Sequence, residues 1–484
     1  MNYSLDDTIV AIATPPGAGG VGIVRLSGPN ALPVLQKLTA RDKFKPRYLH
    51  HGWVHAVGET GAFERLDEVL GVYMPGPASF TGEDVAEIHC HGGQAVLLAV
   101  VASACRLGAR MAEKGEFTYR AFVNGKYDLT QAEAVAEMIA APSRQGLRLA
   151  QAKLSGLLGQ RVTELRETIE TLRAKAALAI DFPEEEAEAL DGVNFTGDLE
   201  TVKCGIEELL AGYKRARHWR EGVSIILAGQ VNVGKSSLLN ALLGRTRAIV
   251  SATPGTTRDF IEEALDLDGL HVRIADTAGL RASADPVEME GVARAMDLAK
   301  DAALVVFVTD ASRELTGEER TFLALHKGRI FVVRNKIDLL PEEKRKQVLA
   351  TAVFEDAPSA AVSAKAGIGL ENLAAKLRRT ALVYAGGGGK AALAAREAEQ
   401  DGLSLPQREE PVHGDIIPNT RQSELLASAL AETEALLVDV AEGVPCDLFS
   451  VRLDSAAMYL GEITGFAATD DILGRIFSSF CIGK

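Results

Sequence analysis

The spacing of hydrophobic positions along this 484-residue chain changes three times. From residue 1 to about 125, short β-type runs alternate with Gly-rich turns. Thr8–Thr14 and Gly22–Leu26 read as strands around the PPGAGG turn, and Val69–Met74 as another. From about 126 the spacing becomes helical: Leu154, Leu158, Val162, Leu165, Ile169, Leu172 and Ala176 recur at intervals of three and four, on one face of a long helix. Pro183 and the acidic run Glu184–Glu186 interrupt it, and a further helix continues to about Tyr213. From Val223 to near Tyr384, the runs SIILA, HVRIA, ALVVFV and RIFVV are separated by helical stretches, the pattern of a parallel α/β sheet. Gly386–Gly389 and the polar stretch to about Pro418 read as a linker or mobile loop. Leu426, Leu430, Leu437 and Val440 then return to helical spacing. The expected fold is a multidomain α/β plus all-α chain: an N-terminal α/β domain over 1–125, a helical domain split between 126–219 and 381–484, and a nucleotide-binding α/β domain with helices on both faces inserted at 220–380.

Composition narrows this little. The chain is 47% apolar and 24% charged, as ordinary globular proteins are. A net charge of −14 means that any nucleic-acid contact needs a local basic surface, and no segment reads as a basic stripe. Five cysteines, at 90, 105, 204, 446 and 481, include no CxxC pair, which argues against a disulfide framework and for a reducing, cytoplasmic setting. The N-terminus lacks the basic start of a signal peptide, and no apolar run reaches the roughly 20 residues of a membrane span. Cys481-Ile482-Gly483-Lys484 places a cysteine fourth from the end, but Gly and Lys are poor at the last two positions of a prenylation signal.

The chemistry is concentrated in the inserted domain. Gly229-Gln-Val-Asn-Val-Gly234-Lys235-Ser236 matches GxxxxGK[ST], after the strand-like SIILA and before the helix-like SLLNALLG. Such a loop, here Gly229, Asn232, Val233, Gly234, Lys235, Ser236 and Ser237, surrounds phosphates with backbone amides. Lys235 would reach the β and γ phosphates, and Ser236 would ligate Mg²⁺. Asp276-Thr277-Ala278-Gly279 follows HVRIA: Asp276 would hold Mg²⁺ mostly through water, and the Gly279 amide would touch the γ phosphate. Asn335-Lys336-Ile-Asp338 follows RIFVV, and its Asp338 can accept from guanine N1 and N2, which adenine cannot supply. Ser363-Ala364-Lys365 would close over the base. Thr257, in GTTRD, sits where a switch loop lends a hydroxyl to Mg²⁺. Five elements in this order imply a GTPase. One expected part is missing: where many GTPases carry a water-orienting Gln after DTAG, this chain has Leu280. Asn232 places an amide oxygen in the loop where a monovalent cation could neutralise developing charge; the alternative is a tolerated variable position.

Two signals carry less. Gly17-Ala-Gly19-Gly20-Val-Gly22 fits GxGxxG, but a strand follows where a dinucleotide site needs a helix, so the chain is expected to bind no FAD itself. His89-Cys90-His91 reads as a turn before Gly92-Gly93, since neighbours on a strand would point to opposite faces and no second ligand cluster lies near.

Several blocks match one family along nearly the whole chain: DTIVAIATPPGAGGVGIVRLSG at the start, SFTGEDVAEIHCHGG, GEFTYRAFVNGKYDLTQAEAV, DFPEEE, GTTRD, DTAGLR and the terminal DDILGRIFSSFCIGK. The sequence resembles the MnmE (TrmE) family of bacterial tRNA-modification GTPases. The resemblance implies a homodimer whose N-terminal domain binds a tetrahydrofolate such as 5-formyltetrahydrofolate and dimerises. It implies a potassium-stimulated GTPase, with K⁺ ligands at Asn232, Ser251, Thr253 and Thr256 and Mg²⁺ ligands at Ser236 and Thr257. It places GTP contacts also at Ser251 and Thr256, the water-orienting base at Glu288 and a reactive thiol at Cys481. Read without the resemblance, Glu288 is a solvated surface acid and Cys481 a small buried hydrophobe. Folate contacts carry over to Arg25, Glu87, Lys126 and Lys484. The implied partners are tRNA and an FAD-dependent protein that joins it in a heterotetramer. Together they add a carboxymethylaminomethyl-type group at carbon 5 of wobble uridine, with a folate one-carbon unit. Three departures stand out: the long Gly/Ala-rich 386–418 stretch, Arg421-Gln422 where the family has Arg-His, and Ala18 where arginine is common. Without the flanking blocks, the GTPase motifs fit equally a regulatory GTPase of ribosome assembly, and a folate-binding protein regulated by GTP is a third reading.

Overall fold

The computed structural model describes residues 6–58, 61–141, 143–181, 195–246, 262–276, 302–326, 328–351, 353–354, 357–385 and 416–484. The chain separates into two compact units. One comprises Met1–Ala136, Lys153–Leu209 and Pro418–Lys484; the other comprises Glu137–Ala152 and Leu210–Ile417.

The first unit opens with β1 (Ile9–Ile12), β2 (Gly19–Ser27), α1 (Ala31–Thr39), β3 (His50–Val57), β4 (Phe63–Met74), β5 (Val85–Gly92), α2 (Gln94–Arg106) and β6 (Arg110–Met111). The strands form one sheet in the order β3-β4-β5-β2-β1-β6, antiparallel except between β1 and β6. Leu35 and Leu38 of α1 and Val100 and Val101 of α2 pack with Val24 and Leu26 of β2 on one face. The two-residue period of β2 therefore turns Arg25 to the other face. β2 confirms a strand after the GxGxxG match. His89, Cys90 and His91 lie inside β5, where a turn was expected. Gly92 stands opposite Gly19, and a Cβ there would overlap the Gly19 carbonyl, so this glycine serves close strand approach. β3 has no counterpart in the sequence reading, because only Val54 and Val57 of HHGWVHAV are buried and no alternation results.

The next helices are α3 (Glu116–Val123), α4 (Leu129–Ala140), α5 (Arg144–Leu154), α6 (Leu157–Asp181) and α7 (Phe195–Glu221). The expected long helix breaks at Ser155-Gly156, where Gly156 takes φ +85°. Leu154 thus ends α5, and the buried stripe of α6 begins at Leu158 and runs to Ala176. α7 passes Tyr213 and reaches Glu221. A Cβ on Gly205 of α7 would stand 2.7 Å from Leu165 of α6, so glycine permits that crossing. Pro183 and the acids after it lie outside the described residues.

The second unit holds β7 (Val223–Ala228), α8 (Lys235–Thr246), β8 (Glu262–Leu267), β9 (Leu270–Asp276), β10 (Leu304–Asp310), α9 (Gly317–Leu325), β11 (Ile330–Asn335), α10 (Glu342–Ala350), β12 (Val353–Phe354), β13 (Ala357–Ala361) and α11 (Leu370–Ala385). Its sheet runs β12-β13-β11-β10-β7-β9-β8. The inner five strands are parallel, as expected; the edges β8 and β12 are antiparallel. β8 turns back into β9 through Asp268-Gly269, both at positive φ, which is a hairpin turn. Leu242 of α8 and Leu373 and Leu377 of α11 cover one face; Leu323 and Phe322 of α9 cover the other.

After residues 386–415, which were expected to form a linker and lie outside the described residues, come α12 (Thr420–Ala441), α13 (Cys446–Thr464) and α14 (Asp470–Ser478). α13 packs against α6 and α12, so helices on both sides of the nucleotide-binding region share one core. The buried residues of α12 are Gln422, Ser423, Leu426, Ala429, Thr433 and Leu436. They differ from the expected 426/430/437/440 stripe because Gln422 and Thr433 are buried with their hydrogen bonds satisfied by Glu133 and the Ala429 carbonyl. Phe477 and Phe480 then pack with Leu129 and Ala132 of α4, and Ile482 bridges to Lys114.

Candidate functional site

Four of the nucleotide motifs, GxxxxGKS, DTAG, NKID and SAK, each follow a parallel strand at its C-terminal end, where α/β sheets bind ligands. β7 ends at Ala228, the loop Gly229–Gly234 follows, and α8 begins at Lys235. Three loop residues take positive φ: Gly229, Asn232 and Gly234. A Cβ on Gly229 would overlap the Val308 carbonyl, and one on Gly234 the Asn335 amide. Asn232, at φ 64° and exposed, is the one non-glycine residue there, and asparagine tolerates that conformation better than most. Lys235 Nζ donates to the Gly229 carbonyl (2.8 Å) and the Gln230 carbonyl (2.9 Å). It lies back over the loop whose phosphates it would meet. Val233 is buried, and Ser236 and Ser237 are exposed in the first turn of α8, whose unpaired amides favour an anion. Asp276 closes β9 opposite Leu227 of β7, so the DTAG motif starts beside the phosphate loop. Thr277, Ala278, Gly279 and Leu280 lie outside the described residues, as do Ser251, Thr253, Thr256, Thr257 and Glu288.

The base side is joined to the phosphate side by one buried residue. Asn335 donates from Nδ2 to the Val233 carbonyl (2.9 Å) and accepts at Oδ1 from the Ala364 amide (3.0 Å). It ties the loop, the NKID motif and the SAK motif together. Asp338 accepts from the Ser363 hydroxyl at 2.6 Å, and that hydroxyl in turn accepts from the Ala366 amide. Lys336 is ion-paired with Asp310 (2.8 Å), whose carboxyl is held below its ordinary range. Burial opposes that shift; hydrogen bonds from Lys336 and Ser312 outweigh it. Lys365 is exposed at the end of the motif.

Sequence reasoning missed a bracket beside the phosphate loop. Gln230 donates to Thr316 Oγ1 (3.1 Å) and accepts from Arg313 (3.1 Å), and Arg313 is clamped by Glu319 at 2.7 and 2.8 Å. Thr316 and Glu319 form a capping box on α9, and the T-x-x-E spacing was the available signal.

A second cluster stands on the face of the N-terminal sheet opposite α1 and α2. Arg25 and Glu87 are cross-strand partners, with Nε donating to Oε1 at 2.8 Å. His89 lies 3.0 Å from the other Glu87 oxygen. The Arg25 guanidinium sits 5.5 Å from the Phe80 ring and 5.9 Å from Phe117. The C-terminal tail completes the cluster: the Gly483 carbonyl accepts from Arg25 at 3.4 Å. Burial and the nearby Arg25 charge lower the Lys484 ammonium, against the pull of Glu87 and Cys481. Burial acts to raise Glu87, but the His89 and Arg25 contacts win and hold it low. Three expected folate residues, Arg25, Glu87 and Lys484, thus come together. Lys126 instead donates to the Pro77 carbonyl (3.2 Å), fixing the loop that carries Phe80. Cys481 is exposed, not buried as the small-hydrophobe reading expected. Among the described cysteines Cys90 is the buried thiol, and burial pushes it up to about 12.

The family described as "GTP-binding protein TrmE N-terminus" matches residues 8–126, and "MnmE helical domain" matches 129–481. The chain is 51% identical over 486 residues to the tRNA modification GTPase MnmE of Nitratidesulfovibrio vulgaris (strain DP4), covering 99% of each chain. It is 43% identical over 485 residues to that of Lawsonia intracellularis, covering 99% of this chain and all of the relative. Among solved structures, the G domain of the T. maritima FeoB iron transporter is 28% identical over 33% of this chain and 98% of its own, with a TM-score of 0.23. Two family matches and full-length identity of this order leave one conclusion: this chain belongs to the MnmE family of tRNA modification GTPases.

Proposed function

We propose that this GTPase couples GTP hydrolysis to the addition of a carboxymethylaminomethyl-type group at carbon 5 of wobble uridine in certain tRNAs. It acts as a cytoplasmic homodimer, in a heterotetramer with an FAD-dependent partner, on a one-carbon unit from a tetrahydrofolate. The observation that carries this reading is the docked tail. Lys484, Arg25 and Glu87, far apart in sequence, share one face with Phe80 and Phe117. Two cations, a carboxylate acceptor and aromatic walls fit a flat heteroaromatic ring that bears donor N–H groups and an acidic tail. Residues 1–125 form the folate-binding and dimerisation domain, 126–219 with 381–484 the helical body, and 220–380 the GTPase.

In the GTPase, Lys235 leaves the Gly229 and Gln230 carbonyls for the β and γ phosphates, and the loop amides hold the phosphate oxygens. Asp338 accepts from guanine N1 and N2 while Ser363 holds it in place. Ser236 and Thr257 would hold Mg²⁺, with Asp276 beside them, and Asn232, Ser251, Thr253 and Thr256 would hold K⁺; the chemistry these cations would supply is neutralisation of charge developing on the phosphates. The left-handed conformation and exposure of Asn232 support its own place in this set; Ser251, Thr253, Thr256 and Thr257 rest on the resemblance alone. Glu288 orients the attacking water in place of the glutamine that Leu280 lacks. Cys481, exposed near Lys484, is the thiol of the folate site.

GTP turnover in potassium and in sodium at matched ionic strength, measured on wild type and Glu288→Ala, tests the engine. The expected result is several-fold faster turnover in potassium and none in the variant at unchanged GTP affinity. Equal rates in both salts would remove the cation, and wild-type turnover in Glu288→Ala would remove the base.

A further inference from the structure

We infer that the exposed loop and strand edge between Lys37 and Trp53 is a docking surface for single-stranded RNA. Five lysines and arginines face one aspartate between Lys37 and His51, in a chain whose net charge is −14. They escaped the sequence reading because they spread over the end of α1, a loop and the start of β3 rather than one helix face. Among the described residues, none of Lys37, Arg41, Lys43, Lys45 and Arg47 is ion-paired with a carboxylate. Five arginines elsewhere in the first unit, Arg25, Arg110, Arg120, Arg421 and Arg452, by contrast each meet an acid. On the neighbouring strand Asp67 meets His91 at 2.7 Å and Glu68 meets His51 at 2.8 Å, and among the described residues Glu64 is ion-paired with none of the five cations. The basic charge of this loop is therefore left facing solvent.

Aromatic rings alternate with those cations. Tyr48 is 56% exposed and Trp53 41%, unusual for side chains of that size. Lys45 Nζ lies 5.7 Å from the Tyr48 ring, and the Arg65 guanidinium 5.3 Å from the Trp53 ring. His50 fixes the loop from beneath. Its Nε2 accepts from the Lys45 amide at 2.9 Å, and its ring meets Phe44 and Tyr48 edge-on at 5.0 and 5.1 Å. Unpaired cations interleaved with presented ring faces are what unstacked bases and their phosphates require: the rings take bases, the ammonium groups take phosphates. A protein partner could also cover the two aromatic faces, but five cations against one aspartate in a chain of net charge −14 favour a polyanion that supplies a phosphate for each and a base for each ring.

The inference rests on the reading above only in taking RNA, the substrate class of the family, as the partner. The test uses the full-length protein, a tRNA transcript and a range of salt concentrations. Lys43→Glu/Lys45→Glu should weaken binding about tenfold and flatten the salt slope by roughly 1 to 1.5, since each phosphate contact on a single strand carries about 0.7. Trp53→Ala should weaken binding about tenfold through lost stacking and leave the slope unchanged. GTP turnover and thermal midpoint should match wild type in both. Unchanged affinity and slope in these variants overturn the proposal. So does loss of binding to the FAD-dependent partner with RNA affinity intact, which would assign the patch to a protein. Wild type that fails to bind the transcript at low salt also overturns it, and leaves GTP hydrolysis and folate binding, measured on the same preparation, untouched.

Discussion

The phosphate loop and the Arg25 cluster are both centred on a positive side chain, and they are assembled in opposite ways. Lys235 bonds to carbonyls five and six residues before it, inside one uninterrupted motif. Arg25 bonds to a carboxylate 62 residues away and to a carbonyl 458 residues away. The first site is written locally, because a parallel sheet delivers each motif to the same edge as the C-terminal end of its strand. The second exists only once the tail has docked on the N-terminal sheet. A local site fails when one of its own residues changes. A remote one fails when anything that docks the tail changes, even a residue that touches no ligand.

The largest expected effect falls on the local site. Asp338→Asn replaces a carboxylate that can accept two bonds from guanine with an amide that offers a donor in their place. Two charge-assisted bonds at about 1.5–3 kcal/mol each predict a loss of GTP affinity of roughly 100-fold or more. The same amide can donate to the carbonyl that xanthine carries at carbon 2, so affinity for XTP should rise. Titration of the variant with both nucleotides checks this, and GTP affinity near wild type would mean that Asp338 does not read the base. Because Ser363 already holds this side chain at 2.6 Å, little rearrangement stands between the two specificities.

The contrast also explains what was legible beforehand. GxxxxGKS, DTAG, NKID and SAK could be placed because each combines a fixed spacing with a strand before it, and the structure puts every described one at a strand end. The edges β8 and β12 were harder, since a hairpin edge carries the same β-type composition as a parallel strand. On α12, hydrophobicity selected Leu430, Leu437 and Val440, whereas the buried face includes Gln422 and Thr433. A polar residue reads as surface until its partner is known, and the partner of Gln422 is Glu133, 289 residues away. The Arg25 cluster was reached through family resemblance alone. Nothing in the local pattern around Arg25 announces Glu87, and nothing around either announces Lys484. The Gln230–Arg313–Glu319 bracket lay between these cases: its capping box was visible, its contact with the phosphate loop was not.

An intermediate effect should come from the tail itself. Gly483 sits at φ +89°, and a Cβ there would overlap the Ile12 carbonyl. Gly483→Ala therefore strains the backbone and forces the tail off β1, at about 1–3 kcal/mol. Arg25 loses the Gly483 carbonyl, and Lys484 leaves its half-buried position. Calorimetry with 5-formyltetrahydrofolate should show weaker binding by about tenfold or more, while guanine nucleotide affinity stays as in wild type. Unchanged folate affinity would show that the docked tail is not part of that site, and would make the contrast between local and remote assembly irrelevant to function.

The smallest effect is a dependence on pH. Glu87 is held below the ordinary glutamate value of 4.5: burial opposes ionisation, and the His89 and Arg25 contacts more than reverse it. The folded protein therefore binds this proton less readily than the unfolded chain does. Its contribution is fully present above 4.5 and is lost as pH falls through that value toward the lower folded one. Glu87→Gln removes the ionisation altogether. Its thermal midpoint should lie below that of wild type at pH 7, and the gap should narrow as both are taken to pH values under 4.5. A gap that stays constant across that window would mean that the Glu87 charge adds nothing to stability. Arg25 would then be held by Phe80, Phe117 and the tail alone, so that even the strand-paired half of this cluster would depend on the remote docking step.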